Sequence, residues 1–113
     1  MLGVVLLGMI GEALKGHLDL LLLAVLAAGP AHGYAVIEAL RQRSGGLFDL
    51  PEGTIYPALH RLEAQSLLKS CWQEAAPRRR RVYELTTKGR QSLAKRQEGW
   101  RTFSRAVDLT AGI

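Results

Sequence analysis

The residues best equipped for chemistry fall in two neighbouring stretches, PEGTIYPALHRLEAQSLL from Pro51 to Leu68 and the run Pro77-Arg78-Arg79-Arg80-Arg81-Val82-Tyr83. In the first, Ile55, Leu59 and Leu62, joined at the edge by Ala58, recur at helical spacing and mark an inward stripe. At about 100° per residue the opposite face receives Gly53, Pro57, His60 and Ala64, flanked by Thr54, Tyr56 and Arg61. That face is small, polar or aromatic and hardly acidic. Such a surface suits contact with base edges and groove rims, with Arg61 able to address guanine or phosphate.

The four arginines Arg78, Arg79, Arg80 and Arg81 supply planar guanidinium forks that match phosphate oxygens or enter a narrow minor groove. A charge run is more often a solvated surface. Here its position, one short strand after a candidate reading helix, favours phosphate contact. Side chains alternate along a strand, so Arg79 and Arg81 cannot face the same way as Arg80, and only some of the four are expected to touch DNA. Charge is concentrated to match: residues 77 to 101 hold nine bases against two acids, whereas residues 1 to 50 hold three against four. A local cationic excess of this kind is the footprint of a polyanion partner.

Other chemistries are poorly supplied. His17, His32 and His60 lie far apart, and His60 with Glu63 reads as an exposed helix pair rather than a metal site. Cys71 is the only cysteine, which excludes an internal disulfide and fits a reducing, cytoplasmic setting. No glycine-rich loop joins a strand to a helix in the way a nucleotide requires. No catalytic residue, metal or cofactor is therefore expected, and the chain is read as a binding protein, not an enzyme.

The elements that must position these residues follow from periodicity and punctuation. Gly16 to Ala28 is apolar nearly all round and reads as a central helix stopped by Gly29-Pro30. A second helix runs from His32 or Gly33 to Ser44 with Tyr34, Ile37 and Leu40 inward, closed by Gly45-Gly46. The third helix accommodates Pro57 if it begins close to Thr54, because first-turn N–H groups lack intrahelical partners. Leu68 to Glu74 and Arg79 to Leu85 alternate as strands, with Ala75 to Arg78 as the hairpin tip. Thr86 offers an N-cap to a long last helix in which Leu93, Trp100 and Val107 are spaced by seven and Arg96, Phe103 and Thr110 form a weaker row. A domain of 113 residues has little core left to cover that stripe, so a second copy of the chain is the expected cover. Tryptophans paired across a two-fold axis also stack flat molecules, which makes Trp100 a candidate site for a small aromatic effector.

The fold class is thus mainly α with a small β-hairpin (α+β): a winged helix-turn-helix over residues 16–85 and a C-terminal dimerisation helix over 86–113. Residues 1–15 form an apolar N-terminal extension or extra helix. Their start, MLGVVLLGMI, lacks the basic flank and cleavage site of a signal peptide, and the apolar run Leu20 to Ala31 is about half of the ~20 residues a membrane span needs, so no membrane partner is expected.

Together HGYAVIEALRQRSGG (His32 to Gly46), LPEGTIYPALHRLEAQSLL (Leu50 to Leu68), RRRRVYELTTKGRQSL (Arg78 to Leu93) and EGWRTFSRAVD (Glu98 to Asp108) resemble the PadR family of bacterial transcriptional regulators. The resemblance covers about Gly16 to Asp108. It implies a homodimer that binds a palindromic operator in double-stranded DNA, usually as a repressor, with a small or phenolic effector loosening the complex. Carried over by position, it implies reading residues Thr54, Tyr56, Pro57, His60 and Arg61, a wing from Pro77 to Arg81, Tyr34 bracing the second helix beside a phosphate, and dimerisation through Leu93, Trp100, Phe103 and Val107. Two rivals from other classes stand beside it: a winged-helix module that docks a protein partner, and an aromatic-ligand sensor whose DNA affinity is secondary.

Overall fold

The computed structural model of the chain describes residues 11–75 and 78–113. The apolar stretch 1–10 and the two residues Ala76 and Pro77, which belong to the expected wing tip, lie outside the described residues, as does the side chain of Arg78. Helix α1, seen over residues 11–15, is followed by a turn at 16–17 and by α2, Leu18–Leu26. Four residues of α2 (Leu22, Leu23, Val25 and Leu26) are buried, because α3, α4, α5 and the sheet all pack on this helix. The expected run from Gly16 to Ala28 is thus trimmed at both ends. At its close the amides of Ala27, Ala28 and Gly29 donate to the carbonyls of Leu23, Val25 and Leu26, which tightens the last turn ahead of Pro30.

A two-residue strand, β1 (Ala31–His32), precedes α3, Gly33–Arg43. It pairs antiparallel with β3, Arg78–Leu85, which in turn pairs with β2, Leu68–Ala75, in the order β1-β3-β2. The hairpin register sets Leu68 opposite Leu85 and Trp72 opposite Arg81. The third strand did not show in the sequence because two residues carry no period, and its hydrogen bonds come from a strand some fifty positions away.

The inward face of α3 corrects the reading of Tyr34. Leu40 is buried and Ile37 packs partly buried against the core as expected, but Gly33 and Val36 complete the seam and Tyr34 is exposed. The cause is the Tyr56 ring: a Cβ at position 33 would lie 2.5 Å from it, and only a glycine lets α3 approach so closely.

Helix α4, Glu52–Ala64, buries Ile55, Ala58, Leu59 and Leu62, the expected stripe. It starts two residues ahead of Thr54, because the Pro51 carbonyl already accepts from the Thr54 and Ile55 amides. Pro57 therefore sits in the second turn, where it cannot donate to the Gly53 carbonyl.

Helix α5, Thr87–Ala111, is capped as expected by Thr86, whose Oγ1 accepts from the Gly89 amide at 2.9 Å and donates to the Ser66 carbonyl at 2.6 Å. Its 25 residues span about 37 Å at 1.5 Å per residue. Only Gly89 and Leu93 are buried, both near the start. Leu93, 7% exposed, belongs to the subunit's own core. That corrects its placement on the dimer stripe: the hairpin end and α2 leave room for one α5 leucine before the helix runs past them. Trp100, Phe103 and Val107 remain exposed. Among the described residues no helix is long and apolar enough to cross a membrane.

Candidate nucleic-acid interface

The outward face of α4 lies between two grooves. Thr54 and Arg61, seven residues apart and so on one edge, border the groove toward α2, which also takes in Asp19 and Lys15. Tyr56 borders the other, a groove of about 490 Å3 whose far wall is the arginine-bearing strand, with Arg79, Arg80 and Arg81 together with Tyr34 and His32. Pro57 and His60 are exposed on α4, and the Tyr56 and His60 rings stand 6.5 Å apart. Tyr56 is half-buried against Gly33, which fixes the depth of α4 relative to the start of α3.

The arginines divide by face as alternation requires. Arg79 and Arg81 share a side with Tyr83, whose buried phenol points into the core, while Arg80 shares the other with Val82 and Glu84. The Arg79 and Arg81 guanidiniums lie over the ring of Trp72, 5.0 and 5.4 Å from its centroid. Arg79 Nε pairs with Glu74 at 3.3 Å and Arg81 with Glu63 of α4 at 3.6 Å, and Glu63 also accepts from the Ser70 hydroxyl. His32, beside β3, has its imidazole pKa lowered, first by burial and then by the Arg80 charge. It is therefore kept neutral at physiological pH and adds no charge to the groove.

Arg61 is placed differently from the expected base reader. Its two terminal nitrogens donate to the two carboxylate oxygens of Asp19 at 2.8 and 2.7 Å, and Arg96 of α5 reaches the same carboxylate at 3.8 Å. One acid on α2 thus ties α4 to α5. The Asp19 carboxyl is held below the usual range, first by the hydrogen bonds from Arg61, with burial opposing and the charges of Arg61 and Arg96 adding to the effect. A signal for this was present in the sequence: Asp19 is the one acid inside an otherwise apolar helix, and a half-buried carboxylate requires a cationic partner.

A folded pKa depressed below the unfolded value contributes stability that is complete above the unfolded pKa and is lost as pH falls through the folded one. The unaltered protein is expected to lose this contribution progressively below about pH 4, the ordinary carboxylate range. Asp19→Asn is expected to cost about 1 kcal/mol at neutral pH, as a partly exposed bidentate pair should, and to show a flatter stability profile between pH 5 and 2 in urea titrations. An unchanged profile would show that the pair carries no folding energy.

Beside the groove toward α2, Trp100 meets His17 edge-on with ring centroids 4.8 Å apart. Both line an apolar cavity of about 620 Å3 together with Leu14, Leu20, Leu21 and Phe48. Among the described residues no group of three or more His, Cys, Asp or Glu side chains is arranged to hold a metal ion.

Comparison with known proteins matches residues 22–95 to the model of the transcriptional regulator PadR-like family. The chain is 35% identical over 81 residues to a transcriptional regulator of Mycobacterium tuberculosis, covering 72% of this chain and 73% of that one. Among solved structures it is similar to a PadR family transcriptional regulator from Eggerthella lenta, with 30% identity, a TM-score of 0.82 and coverage of 92% of this chain and 89% of the other. A PadR family transcription regulator from Clostridium difficile superposes with a TM-score of 0.75 at 30% identity, covering 84% and 98% of the two chains.

Proposed function

The chain belongs to the PadR-like family of transcriptional regulators, and from that premise we propose that it is a sequence-specific, double-stranded-DNA-binding repressor of the bacterial cytoplasm, acting as a homodimer on a palindromic operator. The observation that supports this reading is the groove between α4 and β3, which Tyr56, Tyr34, Arg79, Arg80 and Arg81 line together. With α4 in the major groove, Thr54, Pro57 and His60 meet base edges or the groove rim, and the arginine strand lies over the flanking backbone. Arg61 orients α4 through Asp19 and contacts DNA only by leaving that carboxylate. Two copies joined along α5 through Trp100, Phe103 and Val107 present two such surfaces to half-sites about one helical turn apart.

The test is duplex binding titrated with salt. Arg79→Ala with Arg80→Ala is expected to weaken binding to operator and scrambled duplexes alike by about a hundredfold, and to flatten the log–log salt dependence by roughly 2, close to 0.9 per lost phosphate contact. His60→Ala is expected to alter operator preference with little change in that slope. A double arginine variant that kept its affinity and slope would remove the phosphate role and favour the protein-docking module instead.

A second reading attaches to the cavity beside Trp100. Its apolar lining and the His17 ring suit a flat aromatic effector that, by wedging between α2 and α5, changes the separation of the two reading helices.

A further inference from the structure

We propose that Trp72 is a positioning residue for DNA phosphates: its indole, flanked by the Arg79 and Arg81 guanidiniums, holds the pair as one cationic ledge on the wall of the groove that faces α4. This rests on the DNA-binding reading above and assigns part of that surface to a residue outside the arginine run.

Trp72 lies on β2, directly opposite Arg81, while Arg79 is its diagonal neighbour and sits opposite Glu74. Diagonal cross-strand neighbours are within reach of long and aromatic side chains. The guanidinium carbons stand 5.0 and 5.4 Å from the ring centroid, inside the ~6 Å range of cation–π attraction. The indole does not belong to the core: it is 54% exposed and lines the same groove as Tyr34 and Tyr56.

The consequence for binding is preorganisation. An arginine loose at a hairpin tip has many rotamers to lose when it grips a phosphate, whereas one already laid on an aromatic face has lost most of them. The two carboxylates that assist, Glu74 and Glu63, stand at 3.3 and 3.6 Å, exposed or half-exposed pairs that a phosphate can replace without disturbing the stack. Arg80, on the other face of the strand, is outside this arrangement. The ledge therefore makes Arg79 and Arg81 act as a unit and leaves Arg80 independent.

The experiment is a double-mutant cycle on duplex binding. Trp72→Ala is expected to weaken binding to operator and scrambled duplexes equally, about tenfold, and to lower the salt slope by about 1. Trp72→Phe, which keeps a ring face, is expected to restore most of the affinity. In an Arg79→Ala, Arg81→Ala background, Trp72→Ala is expected to cost less than about twofold, because a positioning residue has nothing left to position. Independently of DNA, in a Trp100→Phe background that leaves Trp72 as the sole tryptophan, removing Arg79 and Arg81 is expected to shift the indole emission. Normal binding by Trp72→Ala, an undiminished loss in the arginine-free background, or an unchanged emission would each overturn the proposal while leaving the DNA reading intact. Absence of salt-dependent duplex binding by the unaltered protein would overturn both.

Discussion

With Phe103 and Val107 both replaced by aspartate, the protein is expected to sediment as a monomer at micromolar concentration and to bind a two-half-site duplex about a thousandfold more weakly. Both side chains are exposed on the last half of α5, Phe103 at 57%, and among the described residues none buries them. Burying such a side chain contributes about 2 kcal/mol, and a two-fold axis counts each residue twice, so the pair accounts for much of a stable dimer. Opposed aspartates replace that gain with repulsion. Joining two half-site contacts in one molecule raises avidity by about 10²–10⁴, and that factor is what the variant forfeits. Because α5 leaves the core after Leu93, the monomer is expected to retain its helical content and its melting transition apart from any part the dimer adds. A variant that stayed dimeric would move the subunit contact away from this face.

Gly89→Ala is expected to be the most damaging small change for stability, about 3 kcal/mol or more. A Cβ at this position would collide with the backbone carbonyl of Leu67, which already accepts the Thr86 amide at 3.2 Å, and a backbone atom has no rotamer to escape into. The ~1 kcal/mol by which alanine outperforms glycine in a helix is too small to compensate. For a domain of this size each kcal/mol moves the melting temperature by about 4–8 °C, so thermal denaturation followed by circular dichroism is expected to show a drop on the order of 12–24 °C. A melting point at or above that of the unaltered chain would mean that α5 does not rest on the 66–67 turn.

How much of this could be read in advance depended on how local the cause was. The α4 stripe of Ile55, Ala58, Leu59 and Leu62, the Thr86 cap and the two long strands follow from periods and side-chain chemistry within a few residues of each other, and stand as expected except that each strand runs one residue further, taking Ala75 and Arg78 out of the expected tip. Tyr34, Leu93 and β1 did not, since each is decided by something distant: the Tyr56 ring beneath Gly33, the end of the hairpin above Leu93, and the partner strand opposite Ala31. The candidate interface divides in the same way. Exposure of Thr54, Pro57 and His60 was legible from helical geometry, and Asp19 in an apolar helix signalled a cationic partner, but that this partner is Arg61, 42 residues on, was not legible, nor was the approach of Arg79 and Arg81 to the Trp72 ring. Surface chemistry can be read from types and spacing, whereas the partner that already occupies a side chain belongs to the tertiary structure.

The contact between Gly33 and Tyr56 imposes an order on how this protein can evolve. A side chain at 33 requires the Tyr56 ring to shift, because an added Cβ would lie 2.5 Å from it, and a smaller side chain at 56 removes that requirement. Under the DNA-binding proposal, a change at position 56 that alters operator preference would also relax the steric demand at 33, so one close approach of two helices couples the two positions.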